Sequence, residues 1–201
     1  LEALTGISER RWWNEGYGLS DGAAAAGRKA LAKSGVKAEE VQALIYAGVC
    51  RENFEPATAC AVAAQLGVAG DAFVYDISNA CLGVLNGIID IANRIELGQI
   101  TAGMVVSCES AREINDVMIR KMLAHPTMGV FTQTLATLTG GSGAVAVLLT
   151  HESLASGKRR RVMGAAAQCA PEHHALCRWG IAGDAEMPGG VAVRCWMLRT
   201  D

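Results

Sequence analysis

Long apolar runs are missing from this sequence. A helix that crosses a bilayer needs about 18 to 20 consecutive apolar residues, and no stretch approaches that length. No signal-peptide pattern opens the chain either. These absences predict a protein without an integral membrane segment, which we expect in the cytoplasm.

A basic excess is also missing. The chain has 18 Lys and Arg against 20 Asp and Glu, a formal net charge of −2 and an isoelectric point near 6.1. Its one basic run, Lys158–Arg161, follows Ser156-Gly157 and is typical of a solvated loop. The charge pattern therefore gives no support to a nucleic-acid or anionic-membrane partner.

The cysteines lack the spacing of a disulfide framework. Seven of them, an odd number, are scattered through 201 residues that are 51% hydrophobic. A chain of this size can bury its own core, so we predict reduced thiols in a reducing compartment. Cys169 and Cys177 bracket His173 and His174, but this spacing matches no standard zinc finger and no second ligand pair exists. We expect no metal.

Alternating apolar runs and helical patterns predict an α/β fold. The helices are expected at 22–33, 56–66, 81–97, 112–123 and 131–138, and the strands at 41–48, 72–77, 101–108, 143–150 and 161–169. Ser20-Asp21 is expected to cap the first helix, which Gly35 ends. Because most strands are apolar on both faces, the sheet is predicted to be largely parallel and covered by helices on both sides.

Cys81 lies where a strand-like run changes into a helix-like one, within Asp76-Ile-Ser-Asn-Ala-Cys81-Leu-Gly83. Unpaired N–H groups and the helix dipole favour a thiolate at the first turn of a helix. A thiolate there suits acyl transfer from a thioester, with backbone N–H groups available to an oxyanion. The position alone is equally compatible with a small buried cysteine in a tight turn.

Glu55 lies between Phe54 and Pro56, just before a predicted helix. The residues alone favour a carboxylate that interacts with the helix dipole. The alternative is a base among apolar neighbours.

Two further motifs each allow a structural and a functional interpretation. Thr139-Gly-Gly-Ser-Gly143 lacks the GxGxxG spacing and precedes a strand, so a tight turn near the site explains it better than a phosphate loop. Arg10-Arg11-Trp12-Trp13 could contact coenzyme A or form a packed surface corner. His125 and His151 are isolated, and we expect both at the surface.

Three motifs in order resemble a known family. Thr5-Gly-Ile-Ser-Glu-Arg10-Arg11, the Cys81 segment and Thr139-Gly-Gly-Ser-Gly-Ala-Val-Ala resemble the ketoacyl synthase III branch of the thiolase superfamily. Within that branch, Ser-Asn-Ala-Cys81-Leu-Gly and Glu55-Pro-Ala-Thr resemble the acyl-CoA head-to-head condensing enzymes of bacterial long-chain olefin biosynthesis. The resemblance runs from residue 1 to about 180.

The resemblance implies a thiolase-like fold, N-terminal half, and an acyltransferase that condenses two fatty acyl-CoA molecules into a 2-alkyl-3-ketoacyl product. Cys81 would be the acyl-carrying nucleophile. Glu55, 26 positions upstream, would be the base and would act in the partner subunit's site of a homodimer. No cofactor is implied besides the coenzyme A of the substrates.

The resemblance also implies an incomplete site. The family takes a histidine and an asparagine from a second half, and none of the four histidines stands in a matching context. We interpret 1–180 as the condensing-enzyme domain and 181–201 as a divergent tail, truncated or frame-shifted, with impaired activity. The alternatives are a ketoacyl synthase III that uses a malonyl donor, and a non-catalytic partner subunit or degenerate fragment.

Overall fold

The computed structural model describes residues 2–155 and 160–174, and the backbone of the pairs 181–182 and 192–193. Contacts divide the chain into two compact units. The larger unit comprises Trp13–Ser110 and Gly143–Ala165. The smaller unit comprises Leu1–Trp12, Ala111–Ser142 and Ala166–Asp201. Cys177, Cys195, Lys158 and Arg159 lie outside the described residues, as does most of the predicted tail.

The regular elements alternate along the chain as predicted. The α-helices are α1 (Glu2–Thr5), α2 (Leu19–Ser34), α3 (Thr58–Leu66), α4 (Gly83–Glu96), α5 (Arg112–Ala124) and α6 (Met128–Thr134). The strands are β1 (Ala43–Ala47), β2 (Phe73–Ile77), β3 (Ala102–Glu109), β4 (Gly143–Thr150), β5 (Ile181–Ala182) and β6 (Ala192–Val193). Short 3₁₀ turns cover Ala38–Glu40, Ala80–Leu82, Thr137–Thr139, Glu152–Leu154 and Pro171–His173.

The larger unit is built on a mixed four-stranded sheet in the order β2-β1-β3-β4. β1 pairs in parallel with β2 and with β3, and β4 runs antiparallel to β3. Tyr46 of β1 is in register with Asp76 of β2 and with Val106 of β3. The prediction of a largely parallel sheet is confirmed, and the wholly buried runs of β1 and β3 occupy its centre.

Helices cover both faces of this sheet. On one face the small side chains of α2 and α3, including Ala23, Ala24 and Ala59, pack against Leu44 and Met104. On the other face Ile91 of α4 packs with apolar side chains of β1 and β3. Gly87 allows α4 to lie close, because a Cβ there would be 3.0 Å from the Val105 methyl groups. The smaller unit contains α1, α5 and α6 and the paired strands β5 and β6.

Three predicted boundaries were wrong. α2 begins at Leu19, so Ser20 and Asp21 lie inside the helix, and Gly18 occupies the N-cap position without a side-chain cap. α3 begins at Thr58, two residues after Pro56. The predicted helix over 131–138 is replaced by α6, which starts earlier, and the turn Thr137–Thr139.

The predicted strand at 161–169 is absent from the structure, where residues 160–170 have no regular structure and are exposed. Gly35 and Gly67 end α2 and α3 with φ of +77° and +76°, as the sequence predicts. No helix in the described ranges combines the length and the apolar character needed to cross a membrane.

Candidate active site

Cys81 lies just beyond the carboxyl end of β2, in the 3₁₀ turn Ala80–Leu82 that leads directly into α4. Its thiol is free and the residue is exposed. Ligands of parallel α/β sheets bind at the carboxyl ends of the strands. The cysteine therefore stands where a nucleophile can meet a substrate. The sequence predicted that the helix starts at Cys81, whereas α4 begins two residues later, at Gly83.

The backbone of the turn is tightly folded. Ala80 has φ +44°, an unfavourable conformation for a residue with a Cβ. The N–H groups of Leu82 and Gly83 donate to the carbonyls of Asn79 and Ala80. These two N–H groups are thus engaged within the turn, although the sequence suggested that backbone N–H groups there could serve an oxyanion.

Glu55 lies in the connection between β1 and α3, beyond the carboxyl end of β1, which is the neighbour of β2 in the sheet. It is exposed, and no hydrogen bond or ion pair of its carboxylate is found among the described residues. Phe54 beside it is 89% exposed. The residues alone favoured a contact between the Glu55 carboxylate and the start of the following helix. The described structure does not contain this contact, because the Asp76 carboxylate lies at the start of α3 instead.

The carboxylate that contacts the first turn of α3 belongs to a residue of β2. Asp76 accepts the N–H of Thr58 through Oδ2 and the N–H of Ala59 through Oδ1, both at 2.9 Å. These are two of the N–H groups that a helix start leaves without an intrahelical partner. Thr58 is 2% exposed, and its Oγ1 is buried without a partner.

The other end of the connection is held by β3 and β1. Glu109, the last residue of β3, accepts the N–H of Val49 at 2.6 Å and that of Cys50 at 3.1 Å. The Tyr46 hydroxyl lies 2.9 Å from the carbonyl of Cys50 and 2.6 Å from that of Cys108. It has one proton to share between these two acceptors.

A third carboxylate fixes the middle of the connection. Glu52 Oε1 accepts the N–H of Ser20 at 2.8 Å and its hydroxyl at 2.9 Å, at the start of α2. This contact replaces the cap that the sequence assigned to Ser20 and Asp21. The sequence singled out Glu55 and missed Glu52, although both acids lie in the same connection.

Two groups beneath the connection have raised pKa values. Burial, with smaller contributions from Glu109, Cys108 and Cys50, raises the pKa of Tyr46 well above its usual range. Burial also raises the pKa of the Cys108 thiol to about 11, which the Trp13 hydrogen bond partly opposes. Both groups are therefore neutral at neutral pH, and Cys108 is fully buried, unlike Cys81.

The remaining predicted motifs have structural contacts. In the smaller unit, Trp12 Nε1 donates to the carbonyl of Gly140 at 3.1 Å, and the N–H of Ser142 donates to the carbonyl of Arg11 at 2.8 Å. The glycine turn is thus packed against the N-terminal segment. In the larger unit, Trp13 stacks on Tyr17 with ring centroids 4.8 Å apart.

The histidines do not form a site in the described structure. His125 and His151 are exposed, as predicted, and His151 Nδ1 accepts the N–H of Ser153 at 3.2 Å. His173 and His174 are exposed too. Among the described residues no group of three metal-binding side chains is present, and Cys177 lies outside that part of the chain.

Cys81 and Glu55 both belong to the larger unit and follow adjacent parallel strands, so they lie at the same edge of the sheet. No hydrogen bond joins their side chains. The residues that hold their surroundings, Asp76 and Glu109, were missed by the sequence reasoning. The sequence does mark both as acids at the end of an otherwise apolar strand pattern, since Asp76 is the second-last residue of β2 and Glu109 the last of β3.

Comparison with protein families identifies a match over most of the chain. The model described as Thiolase, N-terminal domain, covers residues 15–179. The acyl-CoA:acyl-CoA alkyltransferase of Shewanella oneidensis is 63% identical over 183 residues, which are 90% of this chain and 52% of that protein. A beta-ketoacyl-[acyl-carrier-protein] synthase III of Koribacter versatilis is 33% identical over 145 residues, covering 72% of this chain and 39% of that protein.

Solved structures resemble the same part of the chain. A cysteine-to-serine variant of Xanthomonas campestris OleA with bound lauric acid and lauroyl-CoA matches with a TM-score of 0.82 and 34% identity. The match covers 89% of this chain and 53% of that one. The chain spans about half the length of the curated relatives it matches.

Proposed function

Because the chain belongs to the thiolase family, to whose N-terminal domain residues 15–179 correspond, we propose that it condenses two fatty acyl-CoA molecules without decarboxylation. The product is a 2-alkyl-3-ketoacyl thioester, and this condensation is the first step of long-chain olefin biosynthesis. The observation that carries the proposal is the exposed Cys81 in a tight turn at the carboxyl end of β2. The high identity with an acyl-CoA:acyl-CoA alkyltransferase supports the choice of substrate.

The first half-reaction transfers one acyl group to the enzyme. The thiolate of Cys81 attacks the carbonyl carbon of an acyl-CoA, a new carbon–sulfur bond forms, and the bond to coenzyme A breaks. Coenzyme A leaves as its thiol after taking up a proton. The exposed position of Cys81 supports this step, since an incoming thioester can reach the thiol.

The second half-reaction forms the carbon–carbon bond. Glu55 removes a proton from the α-carbon of a second acyl-CoA, and the resulting carbanion attacks the carbonyl carbon of the acyl-Cys81 thioester. The bond between that carbon and the Cys81 sulfur then breaks, which regenerates the thiolate. Neither step uses an external electron donor or acceptor, so the two steps need no redox cofactor.

We propose that the chain works as a homodimer in the cytoplasm, with Glu55 acting in the partner subunit's site. Two features of this chain support a partner at that place. Among the described residues Glu55 has no hydrogen-bond or ion-pair partner. Large apolar side chains are also exposed close in sequence to both site residues: Phe54 is 89% exposed, Leu82 53% and Leu85 55%. The described cysteines are free thiols, which supports a reducing compartment.

A complete site of this kind also needs the histidine and the asparagine that the family supplies from its second half. These groups would help to activate the thiolate and stabilise the enolate and the oxyanion. The described residues contain no counterpart in a matching position. We therefore expect the acylation of Cys81 to be easier to observe in this chain than the condensation.

The first experiment incubates the purified chain with lauroyl-CoA and follows both half-reactions. The expected result is a lauroyl adduct on Cys81 by intact-protein mass spectrometry and, where condensation proceeds, a 2-alkyl-3-ketoacyl product without malonyl thioester. A requirement for a malonyl donor would instead identify a ketoacyl synthase III, which the similarity to that enzyme allows. No adduct, and no preferred alkylation of Cys81 by iodoacetamide, would indicate a non-catalytic subunit.

The second experiment tests the exchange of Glu55 between subunits. Cys81→Ala and Glu55→Gln are each expected to abolish condensation. Random mixing then makes half of the dimers heterodimers, each with one intact site, so about a quarter of the wild-type activity should return. A base acting within its own subunit would give no recovery.

A further inference from the structure

The segment that carries Glu55 is anchored by side chains from the carboxyl ends of all three parallel strands. Asp76 of β2 holds the N–H groups of Thr58 and Ala59, and Glu109 of β3 holds those of Val49 and Cys50. Tyr46 of β1 contacts the Cys50 carbonyl. The anchored positions flank residues 51–57, in which Glu55 lies.

Each acid makes two hydrogen bonds, one through each carboxylate oxygen. Asp76 uses Oδ1 and Oδ2 for consecutive N–H groups, and Glu109 uses Oε1 and Oε2 in the same way. Hydrogen bonds to an ionised acceptor are stronger than neutral ones, and a two-point contact also fixes direction. Consequently both ends of the segment have a defined position, although its central residues are exposed.

Strand β2, which carries Asp76, also leads to the nucleophile. Asp76 and Cys81 are five residues apart, so Asp76 contacts the start of α3 while β2 runs on into the Cys81 turn. In the register of the sheet, Asp76 is the direct neighbour of Tyr46. The anchors on the two ends of the Glu55 segment therefore lie on the three consecutive strands β2, β1 and β3 of the sheet.

We propose that Asp76 and Glu109 are positioning residues for Glu55, which set the place and direction in which this base is presented. The inference rests on the proposed function, in which Glu55 removes the α-proton. It assigns Asp76 and Glu109 no contact with substrate. Their removal should slow proton abstraction and leave the acylation of Cys81 intact, because a base misplaced by about 1 Å can lose on the order of 100-fold in rate.

The test compares Asp76→Asn and Glu109→Gln with the matched control Glu40→Gln. Each amide keeps one acceptor oxygen and turns an NH₂ group toward the second N–H, so one hydrogen bond of each pair is lost. Glu40 also accepts a backbone N–H, that of Lys37 at 2.7 Å, but it lies in the 3₁₀ turn before β1. The control therefore makes the same change from carboxylate to amide at an acid that accepts a backbone N–H in a place unrelated to Glu55.

Amide hydrogen exchange provides the first readout and needs no turnover. In Asp76→Asn at least one of the N–H groups of Thr58 and Ala59 should exchange at least 10-fold faster than in the wild type, and in Glu109→Gln at least one of those of Val49 and Cys50. The control should leave all four unchanged. Unchanged exchange in both variants would overturn the proposal.

Activity provides the second readout, and it separates positioning from folding. Condensation and the exchange of the substrate α-proton with D₂O should fall at least 10-fold in both variants, while the rate of Cys81 acylation stays within twofold. Equal loss of acylation and condensation would overturn the positioning role, since it would indicate a damaged fold.

Failure of the proposed function itself has a different signature. If Glu55→Gln keeps the wild-type condensation rate, Glu55 is not the base, whatever the exchange data show. If the chain does not catalyse condensation at all, the alkylation rate of the Glu55→Cys variant is measured in place of the condensation rate. Asp76→Asn and Glu109→Gln should then change the alkylation rate of a cysteine introduced as Glu55→Cys at least threefold, and an unchanged rate would overturn the proposal.

Discussion

Two connections leave the same edge of the sheet, and they are held in different ways. The connection after β2 is a short turn with local hydrogen bonds. Its backbone pairs Asn79 with Leu82 and Ala80 with Gly83, and the Asn79 side chain donates to that of Asn86. The connection after β1 is longer, and it is held by Asp76, Glu109 and Glu52. One presents a nucleophile, the other a carboxylate.

The difference shows how each side chain can be placed. A tight turn fixes Cys81 through local geometry, which includes the positive φ of Ala80. A longer connection would fluctuate unless its ends were fixed, because backbone freedom costs about 1–2 kcal/mol per ordered residue. Here the fixing is done by charged acceptors from neighbouring elements. The nucleophile is therefore locally encoded, and the position of Glu55 depends on distant residues.

The largest expected effect comes from removing the thiol of the short turn. Cys81→Ala should abolish the acyl adduct formed from lauroyl-CoA, and it should change the free energy of unfolding by less than about 1 kcal/mol because the residue is exposed. Cys60→Ala is the matched control, since Cys60 is also exposed but lies on α3. Mass spectrometry measures the adduct. An adduct of normal yield in Cys81→Ala would place the nucleophile elsewhere.

The local character of the short turn also explains what the sequence predicts well. The order of strands and helices, the parallel sheet and the position of Cys81 follow from apolar periodicity and from glycines, which are features of neighbouring residues. The roles of Asp76 and Glu109 do not follow from such local features, because each accepts hydrogen bonds from N–H groups that are distant in sequence. The donors lie 17 and 18 positions from Asp76, and 59 and 60 positions from Glu109. The cap of α2 failed for the same reason, since Glu52 acts over 32 positions.

The second prediction concerns the support under the longer connection. Cys108 is buried beside Tyr46, and its pKa of about 11 exceeds the ordinary thiol value of 9.0. Since the unfolded chain releases this proton first, the stabilisation is complete below about pH 9 and is lost as the pH rises toward 11. Two pKa units correspond to at most about 2–3 kcal/mol.

Urea unfolding at pH 8, 9, 10 and 11 measures this loss. Cys108→Ala should lower the stability at pH 8, because a buried side chain is truncated, but it should also flatten the alkaline decline. Cys60→Ala serves as the control and should keep the slope of the wild type. A decline that is identical in Cys108→Ala and the wild type would show that this thiol is not its source.

The third prediction compares two acids of the longer connection. Glu52→Ala removes the acceptor of the Ser20 N–H and hydroxyl at the start of α2, so it should lower the free energy of unfolding by about 1–2 kcal/mol. Glu55→Ala removes an exposed carboxylate that has no partner in the described part of the chain, and should cost less than about 0.5 kcal/mol. Urea unfolding at pH 7 measures both. Equal losses of unfolding free energy would contradict the distinction between Glu52, whose carboxylate accepts hydrogen bonds from Ser20, and Glu55, whose carboxylate is exposed.

The smallest expected effect tests the backbone of the short turn. At φ +44° the Cβ of Ala80 costs about 1–2 kcal/mol, whereas glycine adopts this conformation freely but loses about 0.5–1 kcal/mol more through chain entropy. Ala80→Gly should therefore stabilise the protein by less than about 1 kcal/mol, and Ala80→Val should destabilise it by more than that, since a β-branched side chain is worse at positive φ. Urea unfolding of the two variants gives the sign of each change. A destabilised Ala80→Gly would mean that the Ala80 methyl group contributes packing that outweighs its backbone strain.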